Sequence, residues 1–441
     1  MQQAGGYREI WILSWPVMAA QVLVNAVGLV DIAMVGRLGP DAVAAVGYAT
    51  QFFNLAQAAL FAIGTACVAL MARAIGSGDR PGARVALAAS LIVALATALV
   101  FLAAILAAPR WYLRGLGAAP AVIDEAIPYL VLVLLSTLFL SVSITLESAL
   151  RADRNTRLPM LIAAVVTAAK IGLNLVLIFG MLGFPRLGLV GAGLATVASQ
   201  MIGVALYAVV LVTSKRDSPL GLELRDFRTA RGSLRDVVRI ALPGVGERLA
   251  MNLALLAYFR VLAAYGTVAI AAYTVGVRVL AFSWIPGTGF GVAASTLVGQ
   301  SLGSGRLPEA LQSGWRATRM AIGVAVPLGV LGALAREPLG RLFTDDPATI
   351  QALGPFLLCL ALSQPFLQAH FALGGAHRGA GDTWTPFIAA IVGNWLLRTP
   401  IAFFLAFVLR TDVIWVWYAI MIVHLARTLW LTASFRRGRF R

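Results

Sequence analysis

Long apolar blocks broken by short charged or glycine-rich stretches are the dominant pattern of this chain. About 20 apolar residues suffice for a helix to cross a bilayer. Twelve such blocks can be marked, over 9–36, 42–72, 85–108, 120–146, 158–181, 188–213, 238–264, 267–299, 313–335, 348–374, 384–408 and 411–434. Backbone groups in lipid must be satisfied within their own segment, so blocks this long are read as helices. The pattern predicts an all-α integral membrane protein with twelve transmembrane helices. The first block is too long for a signal peptide and lacks a small-residue cleavage pattern, so it counts as a span.

The blocks also repeat. A shift of 227 residues carries Pro16 onto Pro243, Asn25 onto Asn252, Gly39 onto Gly266, Gly64 onto Gly291 and Pro81 onto Pro308. The same shift carries Gly76-Ser77-Gly78 onto Gly303-Ser304-Gly305, Arg151 onto Arg378, Thr156 onto Thr383 and Pro159 onto Pro386. Single matches mean little in a chain with 43 glycines, but one gapless offset linking all of these does not arise by composition. Six helices per repeat return the chain to its starting side. The two lobes are therefore expected to be parallel and related by a pseudo-two-fold axis along the membrane normal, an architecture common among transporters. The expected domains are an N-lobe over 1–214, a cytoplasmic linker over 215–237 and a C-lobe over 238–441 with a basic tail.

Composition narrows the class. Sixty per cent of the residues are hydrophobic and 12% are charged, where a soluble chain of 441 residues carries roughly a quarter charged. The net charge of +16 invites a nucleic-acid reading. With the N-terminus in the cytoplasm, however, most of the lysines and arginines fall on the cytoplasmic side. That is the bias of a multispanning protein, so no nucleic-acid partner is expected. The predicted location is a bacterial inner membrane, with both termini cytoplasmic, lipid as the surrounding partner, and a monomer. The basic stretch from Lys215 to Arg239 reads as a solvated link, partly an amphipathic helix on the lipid surface. The tail Arg436-Arg437-Gly438-Arg439-Phe440-Arg441 reads as a stop facing anionic lipid.

Chemistry of the usual enzymatic kinds is missing. Cys67 and Cys359 stand alone in different spans, and His370, His377 and His424 lack zinc-ligand periodicity. Gly287-Thr288-Gly289-Phe290-Gly291 lies inside a span with no strand before it, so it reads as close helix packing rather than a nucleotide loop. No metal, organic cofactor or enzymatic activity is expected.

Charges inside the spans carry the functional signal, because each costs at least roughly 2.5–3.5 kcal/mol at bilayer depth. Asp31 lies in span 1, fifteen residues after Pro16. A carboxyl facing an interior cavity can take up and release a proton, because desolvation favours its neutral form. The bland alternative is a structural ion-pair partner. Pro16 removes a backbone hydrogen bond and lets span 1 bend, which makes it a candidate hinge. Lys170 lies mid-span, with Asn174 one turn later, and Asp31 is its natural partner. Glu247 follows Pro243 near the cytoplasmic end of span 7, where a hydrated structural role and a binding role are equally open. The repeat mate of Glu247 is Ala20 and that of Asp31 is Tyr258, so the lobes share a frame but not their acids. Arg260, Arg278 and Arg398 lie nearer span ends, where snorkelling is the default. Gln21, Asn25, Gln51, Asn54, Gln57 and Asn252 suggest that spans 1, 2 and 7 border a polar interior. Tyr48, Phe52, Phe53 and Phe61 are candidate aromatic walls for a cationic ligand.

The run Val30-Asp31-Ile32-Ala33-Met34-Val35-Gly36-Arg37-Leu38-Gly39, with Pro16 upstream, resembles the first helix of MATE (multidrug and toxic compound extrusion) transporters. Arg378-Gly379-Ala380-Gly381-Asp382-Thr383 before Pro386, and Val298-Gly299-Gln300 before Gly303, are similar to other segments of that family. Leu150-Arg151 through Pro159 is the first-half counterpart. The resemblance covers all twelve spans and implies two six-helix lobes around a central cavity. It implies export of bulky, often cationic, amphiphiles by alternating access in exchange for H⁺ or Na⁺. By position, Asp31 matches the family's N-lobe acid, Pro16 the proline where that helix bends, and Asn174 a position held by Asp or Asn. Lys170 departs from the family pattern, and a fixed positive charge there would repel Na⁺. Leu367 stands where NorM-type members carry an acid, so the pattern is closer to the DinF-like type.

The expected coupling ion is therefore H⁺, with Na⁺ as the alternative, and the cation-coupling residues are Asp31, Lys170 and Asn174. The substrate-binding candidates are Glu247, Gln21, Asn25, Tyr48, Gln51, Phe52, Asn54 and Asn252. Two rivals remain. A lipid-linked glycan flippase of the same superfamily would use Arg260, Arg278 and Arg398 for pyrophosphate. A non-transporting scaffold or receptor is disfavoured by the symmetric architecture.

Overall fold

A computed structural model describes residues 5–214, 218–341 and 346–438. Lys215 to Asp217 of the basic stretch, and Arg439 to Arg441 of the tail, lie outside the described residues. All twelve expected spans form helices long and apolar enough to cross a membrane. They are α1 (Tyr7–Gly36), α2 (Pro40–Gly76), α3 (Arg80–Ala107), α4 (Val122–Ala152), α5 (Arg157–Phe179) and α6 (Gly188–Thr213). The second set is α7 (Leu234–Tyr265), α8 (Thr267–Gly303), α9 (Leu307–Leu334), α10 (Pro347–Gly379), α11 (Trp384–Val408) and α12 (Val413–Arg436). No strand occurs among the described residues.

The repeat holds in three dimensions. The offset of 227 carries the first residues of α1, α2, α3 and α5 onto those of α7, α8, α9 and α11. The turn into the fifth helix of each repeat is also built alike. Asn155 accepts the backbone N–H of Leu158 at 3.1 Å, and its repeat mate Asp382 accepts that of Thr385 at 3.0 Å. Gly381, at φ 78°, takes a backbone conformation that favours glycine in this turn.

The chain divides into two compact units. The first holds residues from Ala19 to Leu242, and the second holds those up to Met18 together with those from Pro243 onward. The chain thus passes from one unit to the other inside α1, two residues after Pro16, and inside α7, at Pro243. Both helices continue through their prolines.

In the first unit α4 is central and packs against α2, α3 and α6, while α5 packs on α6. In the second unit the repeat mate α10 takes the same place against α8, α9 and α12, while α11 packs on α12. Hydroxyls of Ser136, Ser141, Thr145 and Ser148 on α4 donate to carbonyls of their own helix, which leaves them satisfied without water. The glycine run in α8 does serve close packing. A Cβ added at Gly291 would stand 2.9 Å from the carbonyl oxygen of Phe371 on α10.

The basic linker is more ordered than a solvated link. A short helix, Leu224–Thr229, is capped by the reciprocal Glu223 and Asp226 pair. Asp226 is buried 3.7 Å from the equally buried Arg84 of α3, and Leu220 enters the core beside α4. A buried ion pair and an apolar anchor hold the linker to the first unit, where charge alternation had suggested solvent.

Candidate functional site

Asp31 is the centre of the first unit's polar cluster. Lys170 and Asn174 stand one turn apart on α5, so both side chains project from one helix face. The Lys170 ammonium lies 2.5 Å from one carboxylate oxygen of Asp31, and the Asn174 amide donates to the other at 2.6 Å. The Asp31 and Lys170 side chains keep 25% and 20% of their exposure, so the pair is half-buried, while Asn174 is buried. Among the described residues the Asn174 carbonyl oxygen has no partner. Its amide nitrogen is committed to the carboxylate, so the residue serves Asp31 as a donor. Pairing of Asp31 with Lys170 follows the sequence expectation.

The other sequence-selected residues of this unit are less gathered. Gln21 reaches Asn25 along its own helix at 3.4 Å. Gln51 and Asn54 are exposed on α2, and in the second unit Asn252 is exposed on α7. Phe52 packs edge-on against Phe101 and Tyr112, with centroids 5.5 and 4.9 Å away, and the Tyr112 hydroxyl donates to the backbone carbonyl of Tyr48. Phe52 and Tyr48 thus belong to the packed core around α2 and α4.

The second unit is built on the same frame with different charges. Glu247 is buried, which sets aside the hydrated role that its place near a helix end had left open beside a binding one. Arg378 and Arg427 donate to its two carboxylate oxygens at 2.9 and 3.1 Å. Arg398 does not snorkel either. Its guanidinium donates to the Tyr273 hydroxyl at 2.9 Å and lies 3.9 Å from the centroid of the Tyr258 ring. Tyr258 is the repeat mate of Asp31, so the two units place an intramembrane cation of the fifth helix on the same position of the first. One unit offers a carboxylate there and the other a phenol ring.

The register of Arg398 has a local cause. The offset carries Lys170 onto Leu397, one residue short of Arg398. Helix α11 widens into a π-helical turn over Val392–Arg398. Such a turn absorbs one extra residue, which accounts for the slip. It also sets Asn394 and Arg398 along a cavity of about 100 Å³. His370, His424 and Arg427 line the same cavity, beside Leu367 and aromatic side chains. His370 and His424 stack with centroids 5.1 Å apart. Among the described residues the buried atoms Nε of Arg398, Nε of Arg427 and Nδ1 of His424 have no partner. Cation–π contact at a desolvated site supplies about 2 kcal/mol or more, and with the Tyr273 hydroxyl it offsets the roughly 2.5–3.5 kcal/mol cost of an arginine at the centre of a span.

Arg427, Tyr273, His370 and His424 were missed as site residues. Arg427 was legible as one more intramembrane charge, whereas the histidines carry no spacing signal. Outside the spans, Asp382 is instructive. Burial alone would raise its carboxyl, but hydrogen bonds from His377 and Thr385 hold it below the usual carboxylate range. Among the described residues no group of three or more His, Cys, Asp and Glu side chains is placed to hold a metal ion.

The profile of the MatE family matches residues 16–176 and 243–404, one segment per repeat, starting at Pro16 and Pro243. The chain belongs to the MatE family. MatE relatives extend over nearly the whole chain. A probable multidrug resistance protein NorM of Thermotoga maritima is 29% identical over 90% of this chain and 85% of its own. A second of the same name, from Bradyrhizobium diazoefficiens, is 29% identical over 94% and 90%. A crystal structure of MATE in complex with MaL6 superimposes with a TM-score of 0.91 at 23% identity, over 99% of this chain and 98% of that one. The MatE chain therefore has the MATE fold.

Proposed function

We propose that the protein is a proton-coupled MATE antiporter that exports bulky cationic amphiphiles by alternating access. The observation that carries this reading is the Asp31 carboxylate held between Lys170 and Asn174. A carboxylate that accepts from two donors at once loses most of that bonding when it takes a proton. Protonation would therefore release α1 from α5, and a cationic substrate would favour the deprotonated state. Proton and substrate then influence one another through a single group, which is the linkage that antiport requires. The neighbouring ammonium opposes Na⁺ at the same place. Relatives named multidrug resistance proteins support the substrate class.

Pro16 is the proposed bending point of α1. The boundary between the compact units falls beside it, and solved MATE structures include one in a bent conformation and one of a proline-to-alanine variant. The basic bias of the loops supports both termini in the cytoplasm, and the relatives from Thermotoga maritima and Bradyrhizobium diazoefficiens support a bacterial inner-membrane location.

Everted vesicles loaded with separate gradients test the reading. A pH gradient alone should drive uptake of a lipophilic cation such as tetraphenylphosphonium, with added Na⁺ changing the rate little. Uptake that needs Na⁺ and ignores the pH gradient contradicts it.

A further inference from the structure

We propose that the cavity within the second unit binds the carboxylate of an aromatic or otherwise apolar organic acid. The case rests on charge, geometry and lining, and concerns binding at equilibrium, so it stands apart from the coupling reading above.

The charges come first. Glu247 is the acid that meets Arg378 and Arg427, and both of its oxygens are taken. Arg398 meets no carboxylate among the described residues, only the Tyr273 hydroxyl and the face of Tyr258. An intramembrane guanidinium with neutral partners leaves the cavity wall with an excess of positive charge, which favours an anion. In the first unit the equivalent cation is balanced by Asp31.

The donors come second. Among the described residues Nε of Arg398 and Nε of Arg427, both donors, and the ring nitrogen Nδ1 of His424 are buried without a partner, and all three residues line this one cavity. Arg427 itself is buried. Buried donors left unpaired are costly and therefore rare, and two guanidinium donors around one space point to a shared acceptor. A carboxylate offers two oxygens with about four acceptor sites and suits the planar guanidinium fork.

Size and lining decide the class. A cavity of about 100 Å³ has room for on the order of seven water-sized groups, so a compact ring bearing one carboxylate fits. Trp284, Phe356 and Phe371 line it together with aliphatic side chains. Such walls match an apolar body and give no second cluster of cations for a pyrophosphate.

The test uses the purified full chain in lipid nanodiscs, without any gradient. Equilibrium binding of three probes of one shape is compared by calorimetry: 1-naphthoate, 1-naphthalenemethanol and 1-naphthylmethylammonium. The proposal expects naphthoate to bind at least tenfold more tightly than the alcohol, and any binding of the ammonium to be left unchanged by saturating naphthoate. Arg398→Gln should bring naphthoate to within twofold of the alcohol. Should that variant not fold, the probe series on the unchanged protein still decides. An alcohol that binds as tightly as naphthoate overturns the proposal, as does a folded Arg398→Gln protein with unchanged preference. Inorganic pyrophosphate displacing naphthoate at equal concentration overturns the assignment to organic carboxylates.

Discussion

Each unit sets an intramembrane cation of its fifth helix against the same position of its first helix. In the first unit Lys170 meets Asp31 at 2.5 Å; in the second Arg398 lies 3.9 Å from the ring of Tyr258. The frame is shared down to the asparagine or aspartate that caps the fifth helix of each repeat. What differs is one carboxylate. Where it is present, the pair is neutral and can be opened by a proton. Where a phenol replaces it, the positive charge stays fixed and the nearby donors are left unmet. A repeat can thus preserve helix positions while its two copies drift to opposite electrostatic purposes.

The largest effect should come from breaking the charged pair on one side only. Lys170→Met leaves Asp31 without its ion partner, and fully buried pairs lose roughly 3–5 kcal/mol this way. Because both side chains keep part of their exposure, a loss of about 1–3 kcal/mol is expected. Thermal unfolding in detergent should show it, and adding Asp31→Asn should restore most of it. Equal stability of the single and double variants would mean that the two groups are not coupled.

A smaller effect follows from making the second unit resemble the first. Tyr258→Asp offers Arg398 a carboxylate of its own, so the preference for naphthoate over its alcohol should shrink by about tenfold, or roughly 1.4 kcal/mol. Retention of the full preference would separate anion binding from the charge of Arg398. Next is Pro16→Ala, which gives α1 back a backbone hydrogen bond. Efflux should fall severalfold while expression and melting temperature hold, and wild-type efflux would remove Pro16 from the mechanism.

The smallest effect concerns the cap. Asp382 is held below the usual carboxylate range, so its contribution is present above the unfolded value of about 3.9. It fades as pH falls through the lower folded value. Asp382→Asn should destabilise by roughly 1 kcal/mol near neutral pH, and the gap to wild type should close below about pH 4. A gap that is independent of pH would show that the charge of Asp382 contributes nothing.

The fold was legible because its signals are strong and local. Twenty apolar residues admit few readings, and one offset linked prolines and glycines across both repeats. The Asp31 and Lys170 pair was legible for a related reason, since opposite charges at depth in one repeat have few other places to go. Glu247 was not, because several arginines of the same repeat could meet it and only packing selects Arg378 and Arg427. Arg398 was hidden twice over. Its partner is an aromatic face that needs no acid, and the π-helical turn moves it one residue off the repeat register. The cap at Asp382 also needed the structure, because the sequence does not reveal which backbone N–H it accepts.

Proton release on substrate binding tests the coupling role of Asp31 most directly. Calorimetric titration of the purified protein with tetraphenylphosphonium, in buffers of different ionisation enthalpy, counts the protons set free per cation bound. Wild-type protein should release a proton over the pH range in which transport operates, and Asp31→Asn should bind with none released. Equal proton release from both proteins would contradict the claim and move the coupling group elsewhere in the chain.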